Sequence, residues 1–169
     1  MDHLRFDKVP EPIEKRIDMS YKNQGYYIPN CHGTAMFLLG VLPYDIVVFT
    51  HDNEKNLRNV LSKMDESPSL IDNCLMVSSI ILSNQREEIV HSSFIMNANP
   101  LKGFHRRGAR GLFEEFESLS IPIGYVQGCS FVNGDRIINR FYSVGDNNLE
   151  DWAREIIGMY NKELSQQTL

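Results

Sequence analysis

The chain has 169 residues, 42% hydrophobic and 23% charged, with a formal charge of −5 and a pI near 5.5. That size and balance predict one soluble domain over residues 1–169, able to bury a core without disulfide or metal staples. The acidic balance, with Arg106, Arg107 and Arg110 as the only tight basic cluster, argues against nucleic acid as the main partner.

No apolar run approaches the roughly 18 residues of a membrane helix, and the first residues lack the apolar segment of a secretory signal. A cytoplasmic protein with no membrane partner is therefore expected. Cys31, Cys74 and Cys129 are odd in number and widely spaced, which is no disulfide framework and suits a reducing compartment. Neither CxxC nor HExxH occurs, so no metal or other cofactor is expected.

Along the chain, residues 1–28 read as polar and irregular, with one short helix over Ile13–Tyr21 starting near Pro12. Tyr21, Asn23, Gln24, Tyr26 and Tyr27 then form a ring-packed loop on the approach to Cys31. From Cys31 to Leu39 the pattern is a short apolar helix, with Asn30 as N-cap and Gly40 as terminator. A thiol in the first helical turn meets outward N–H groups and the positive end of the macrodipole. Its pKa is expected to fall, so that it is partly thiolate near neutrality, as a nucleophile requires. The competing reading is that Cys31 is one more small apolar residue.

The run Asp45–Thr50 reads as a buried strand or an extended connection. A second helix over Glu54–Met64 puts Leu57, Val60, Leu61 and Met64 on one face, and residues 65–72 read as a loop. Cys74–Leu82 is a long apolar strand that turns near residues 84–87 into a returning strand, Glu88–Met96, bearing His91. Residues 97–103 form a turn, and Phe104–Arg107 is a short third strand bearing His105. Leu112–Leu119 reads as a helix with Phe113 and Phe116 inward. Ile121–Phe131 and Arg136–Val144 read as strands joined by a turn at Asn133-Gly134, with Cys129 in the first of them. A final amphipathic helix, Leu149–Leu164, places Trp152, Ile156 and Tyr160 on its apolar side. Helices first, then antiparallel strands, then a docking helix predict an α+β domain, N-terminal helices packed on an antiparallel sheet.

Three residues stand out: Cys31 as nucleophile, His91 as base and His105 as orienter, with Asn97 and Asn99 open as alternatives to His105. Cys74 and Cys129, in apolar strand context, read as structural, and His32 and His51 as loop or helix-surface residues. Asn30-Cys31-His32-Gly33-Thr34-Ala35, His91-Ser92-Ser93-Phe94-Ile95 and Phe104-His105 together resemble the papain-like cysteine peptidases and amidases, in particular the NlpC-type cell-wall endopeptidases. His91 follows Cys31 by 60 residues and His105 follows His91 by 14, spacings compatible with that family over about Pro29–Gly108. His32 departs from it, standing where the family more often has a small residue.

The resemblance implies a papain-like core and amide cleavage through a Cys31 thioester, on a peptide or other amide substrate such as a cell-wall peptide. The backbone N–H of Cys31 and one upstream donor, with Gln24 and Tyr21 as candidates, would hold the oxyanion. A cysteine-dependent acyltransferase and a non-enzymatic binding or regulatory domain stay open on the same scaffold.

Overall fold

The computed structural model describes residues 4–6, 11–22, 30–46, 54–108, 111–130 and 136–167, apart from the side chains of Ser130 and Gln167. Its elements run α1 (Ile13–Lys22), α2 (Cys31–Leu39), α3 (Glu54–Leu61), β1 (Asp65–Ser67), β2 (Cys74–Ile81) and β3 (Glu87–Ala98). They continue with β4 (Leu101–Arg106), β5 (Phe113–Phe116), α4 (Ser120–Ser130), β6 (Arg136–Ser143) and α5 (Glu150–Gln167). The strands form one antiparallel sheet in the order β1-β6-β2-β3-β4-β5. The architecture is α+β.

Helix α2 is the pivot. Every residue from Cys31 to Leu38 is buried, the mark of a helix enclosed on all sides rather than of an amphipathic surface one. One side, Ala35 and Met36, enters a core with Leu57, Val60, Leu75, Val77, Trp152 and Ile156. The other, Phe37 and Leu38, meets Phe94, Phe104 and Phe113 of β3, β4 and β5. Burying side chains of this size contributes about 1.5–3 kcal/mol each. The opposite sheet face carries a smaller cluster of Cys74, Met76, Ile95 and Phe116.

The ends of α2 are closed by chemistry legible in its sequence. Asn30 is extended and its side chain accepts from the Gly33 N–H at 2.8 Å. Gly40 takes φ of +89°, a left-handed cap that few L side chains tolerate. The guanidinium of Arg16, on α1, donates to the terminal carbonyls of Phe37 and Leu38, putting positive charge at the negative helix end.

A buried polar network then fixes α2 to β4. Arg106 pairs with Asp45 at 3.2 Å and donates through Nε to Thr34 Oγ1 at 2.9 Å. Thr34 in turn donates to Asp45 Oδ1 at 2.6 Å, and Ser20 Oγ donates to Asp45 Oδ2 at 2.9 Å. The other guanidinium contacts are the carbonyls of Ser20 and Gly111. Helices α1 and α2 and strand β4 are thereby joined through one ion pair.

Several expected elements are corrected. Residues 113–116 are strand β5, not part of a helix: Phe113 joins the α2-side core and Phe116 the opposite cluster. Positions i and i+3 share a face in a helix but lie on opposite faces of a strand, so burial on both faces imitated a helical pattern. Residues 120–130 are helix α4, not a strand. Ser118 caps its start, with its hydroxyl accepting from the Ser120 N–H at 3.2 Å, and Pro122 occupies the first turn, where a missing N–H is harmless. The β-branched residues and glycines of this run had suggested extended structure; the Ser118–Pro122 start signal was the better guide. Residues 65–67 form edge strand β1 rather than loop, and the turn before β4 is shorter than expected. The segment 47–50 and the turn at Asn133-Gly134 lie outside the described residues.

Candidate active site

Cys31 is the first residue of α2, and the backbone N–H groups of Ser92 and His32 face its sulfur. The Ser92 nitrogen is two covalent bonds from the Cα of His91, so the thiol sits beside the strand segment that carries that histidine. His91 projects from β3 and His105 from β4. Pairing between these strands ends at Phe94↔Phe104, and both histidines lie just beyond it, where the two backbones part. A side-chain bond spans the gap: His91 Nε2 lies 2.9 Å from His105 Nδ1.

The chain of contacts continues outward. On the other side of β4 the register pairs His105 with Glu114 of β5, which places both side chains on one face. His105 Nε2 lies 2.8 Å from Glu114 Oε1, and Arg107 donates to the same oxygen at 2.7 Å. Tyr125 of α4 covers the pair, its ring centroid 4.8 Å from that of His91 and 6.0 Å from that of His105.

Burial dominates the electrostatics. His91 is 0% exposed and Cys31 6%. Desolvation pushes the Cys31 thiol up to about 11, against the opposing pull of the N–H groups of Ser92 and His32. The expected partial thiolate at a helix start is therefore corrected: in this closed arrangement the thiol is neutral. Desolvation also lowers His91 well below the usual imidazole value, helped by the neighbouring His105 and His32. His105 is lowered by burial, although Glu114 pulls the other way. Both rings are thus neutral near pH 7.

One atom stands apart. His91 Nδ1 is buried and has no hydrogen-bond partner among the described residues, so Cys31 and His91 share no hydrogen bond in this arrangement. A buried polar atom left bare is uncommon and calls for a reason.

No family model, curated protein or solved structure matches this chain.

The geometry brings His91 and His105 into direct contact on the sheet face that carries Ile95 and Phe116, away from α2, and sets Cys31 against the Ser92 backbone rather than against either ring. Asn97 lies six residues further along β3, about 20 Å at the usual strand rise, and Asn99 is in the turn beyond it; His105 is the residue bonded to His91. Tyr21 packs edge-on against Phe113, with ring centroids 4.6 Å apart, rather than facing Cys31. Gln24 and His51 lie outside the described residues, as do Asn23, Tyr26 and Tyr27. His32 is buried instead of being a surface residue, with Nδ1 2.7 Å from Ser92 Oγ, and desolvation lowers it to about 4. Cys74 is buried as expected, whereas Cys129 is exposed on α4.

Sequence reasoning missed Glu114 and Tyr125, because each lay in an element assigned the wrong secondary structure. A groove of about 440 Å³ opens beside the pair, lined by Arg107, Ile121, Gly124, Tyr125 and Cys129 among others. Among the described residues no cluster of His, Cys, Asp and Glu suits a metal ion, and no helix is long and apolar enough to cross a membrane.

Proposed function

We propose that this chain is a thiol-dependent amide hydrolase on a papain-like core, with Cys31 as nucleophile, His91 as base and His105 as orienter. The observation that carries this reading is the open end of the histidine pair. His91 Nε2 is engaged by His105 while Nδ1, fully buried, has no partner. It belongs to the residue next to Ser92, whose N–H faces the Cys31 sulfur. A ring held at one nitrogen and bare at the other is prepared to take a proton.

Because the thiol lies high and the imidazole low, the resting pair is Cys–SH with neutral His rather than an ion pair. Attack then proceeds with general-base assistance. For this step the His91 ring must turn through the gap where β3 and β4 part to reach the thiol, and the Cys31 proton then moves to His91 Nδ1 as sulfur bonds to the amide carbonyl carbon. N–H groups in the first turn of α2 stabilise the oxyanion, a type of contact worth roughly 3–4 kcal/mol. His91 returns the proton to the departing nitrogen as the C–N bond breaks, leaving a Cys31 thioester. Water adds to the thioester, His91 accepts its proton, and the acid leaves as the thiol is restored. A peptide or other amide, such as a cell-wall peptide, would enter along the groove beside Tyr125, with α4 displaced far enough to uncover the sulfur.

The burial of both reacting groups favours a second reading, a non-enzymatic binding or regulatory domain with an idle cysteine. A panel of peptide amides separates the two. Amine release that disappears in Cys31→Ser and His91→Ala is the expected result; full turnover in Cys31→Ser would overturn the hydrolase reading. Adding an amine acceptor and finding acyl transfer in place of acid would identify a transferase on the same machinery.

A further inference from the structure

We propose that Glu114 is a positioning residue that fixes which nitrogen carries the proton on both His105 and His91. The assignment deepens the proposed reaction and rests on His91 as its base. Hydrogen-bond bookkeeping along the chain carries it. An ionised carboxylate only accepts, so the 2.8 Å contact from Glu114 Oε1 requires the proton of His105 to sit on Nε2. A neutral His105 protonated at Nε2 presents a bare Nδ1. The 2.9 Å contact to that nitrogen then requires His91 to be protonated at Nε2. A neutral His91 protonated at Nε2 has its bare nitrogen at Nδ1, the one buried ring nitrogen of the pair with no partner.

Every link points the same way, and the direction is set at the exposed end. Arg107 holds Glu114 as an acceptor, donating to Oε1 at 2.7 Å. Burial pushes the Glu114 carboxyl up, but its bonds to His105 and Arg107 outweigh this and hold it below the usual value. Strand register supplies the precision, since His105 and Glu114 are direct cross-strand partners. Without Glu114, either tautomer of His105 is permitted, and half of the arrangements would place the His91 proton on Nδ1 and abolish the base.

Two-bond proton–nitrogen NMR on ¹⁵N-histidine protein tests this on the resting molecule, with no substrate. Wild type should show pyrrole-type Nε2 and pyridine-type Nδ1 on both His91 and His105. Glu114→Leu should shift both rings toward a mixture of tautomers. Glu114→Gln should keep the wild-type pattern, because Arg107 and His105 are both donors and would hold its amide oxygen in the same place. A proton on Nδ1 of either ring in wild type overturns the proposal even if a variant fails to fold. So does an unchanged pattern in Glu114→Leu.

Amide turnover is the companion readout. It should fall on the order of tenfold or more in Glu114→Leu and recover largely in Glu114→Gln. If the tautomers respond but no amide is ever cleaved, the hydrolase reading fails and the positioning role of Glu114 stands. If turnover is robust but the tautomers are indifferent to Glu114, the reverse holds.

Discussion

Adjacent residues of β4, His105 and Arg106, point to opposite faces of the sheet and anchor two buried polar clusters of different character. Around Arg106 the bonding is mutually closed: the guanidinium reaches Thr34, Asp45 and two carbonyls, and Asp45 collects Ser20, Thr34 and Arg106. Around His105 the bonds run in a line from Arg107 through Glu114 and His105 to His91, and the line stops at a bare Nδ1. A closed network fixes two elements in place. An open one leaves a group able to exchange a proton.

Breaking the open end should have the largest effect on activity. His91→Ala should reduce amide turnover by about 10²–10⁴-fold, the range supplied by a positioned proton-transfer group, with a smaller shift of the urea midpoint than a break in the closed network gives. Breaking the closed network should do the opposite. Asp45→Ala leaves the buried Arg106 charge without its partner and should lower stability by about 3–5 kcal/mol in urea titrations. The paired replacement Asp45→Leu with Arg106→Met should recover much of that loss. Equal stability effects in the two clusters would erase the contrast.

Helix α2 and its caps were legible because capping chemistry is local: Asn30 and Gly40 act on the helix they flank, and the structure uses them as the sequence suggests. The hairpin that carries His91 was legible from its apolar run and turn. The environment of Cys31 was not. A helix start predicts a lowered thiol pKa, and the opposing effect, burial of α2 against the sheet and its neighbours, has no local signature. Glu114 was hidden for a related reason. Its role depends on register against His105, and Phe113 and Phe116 of the same short strand are buried on opposite faces, which reads locally as a helix. The papain-like resemblance likewise concerned Cys31, His91 and His105 and carried no information about α4.

The buried histidines give a third test through pH. His32 sits at about 4 when folded, below the unfolded value of about 6.5. As acid is added the unfolded chain takes up protons first, so the associated stability is complete above pH 6.5 and is lost on descending from there through about 4. The loss should be on the order of 3 kcal/mol from this residue, with His91 and His105 acting in the same direction. Urea midpoints measured from pH 7.5 to 4 should show it, and His32→Gln should flatten the slope.

Two smaller effects sharpen the picture. Tyr125→Ala removes the ring that lies over both histidines and should admit water to the sulfur. The Cys31 thiol should fall below its value of about 11, and its alkylation near pH 8 should rise by on the order of tenfold, one pKa unit being tenfold in thiolate. An unchanged profile would show that α4 does not set the thiol environment. Gly40→Ala forces a Cβ into a left-handed position at φ +89° and should cost about 1–2 kcal/mol, seen in thermal unfolding without loss of residual turnover at permissive temperature.

The most direct test of the open end is where an amide-mimicking electrophile reacts. A peptidyl acyloxymethyl ketone should form its adduct on buried Cys31 in wild type and lose it in His91→Ala, while iodoacetamide marks exposed Cys129 in both, read by peptide mapping. An adduct confined to Cys129, or one on Cys31 that forms equally fast without His91, would contradict the assignment of the bare Nδ1 as the base.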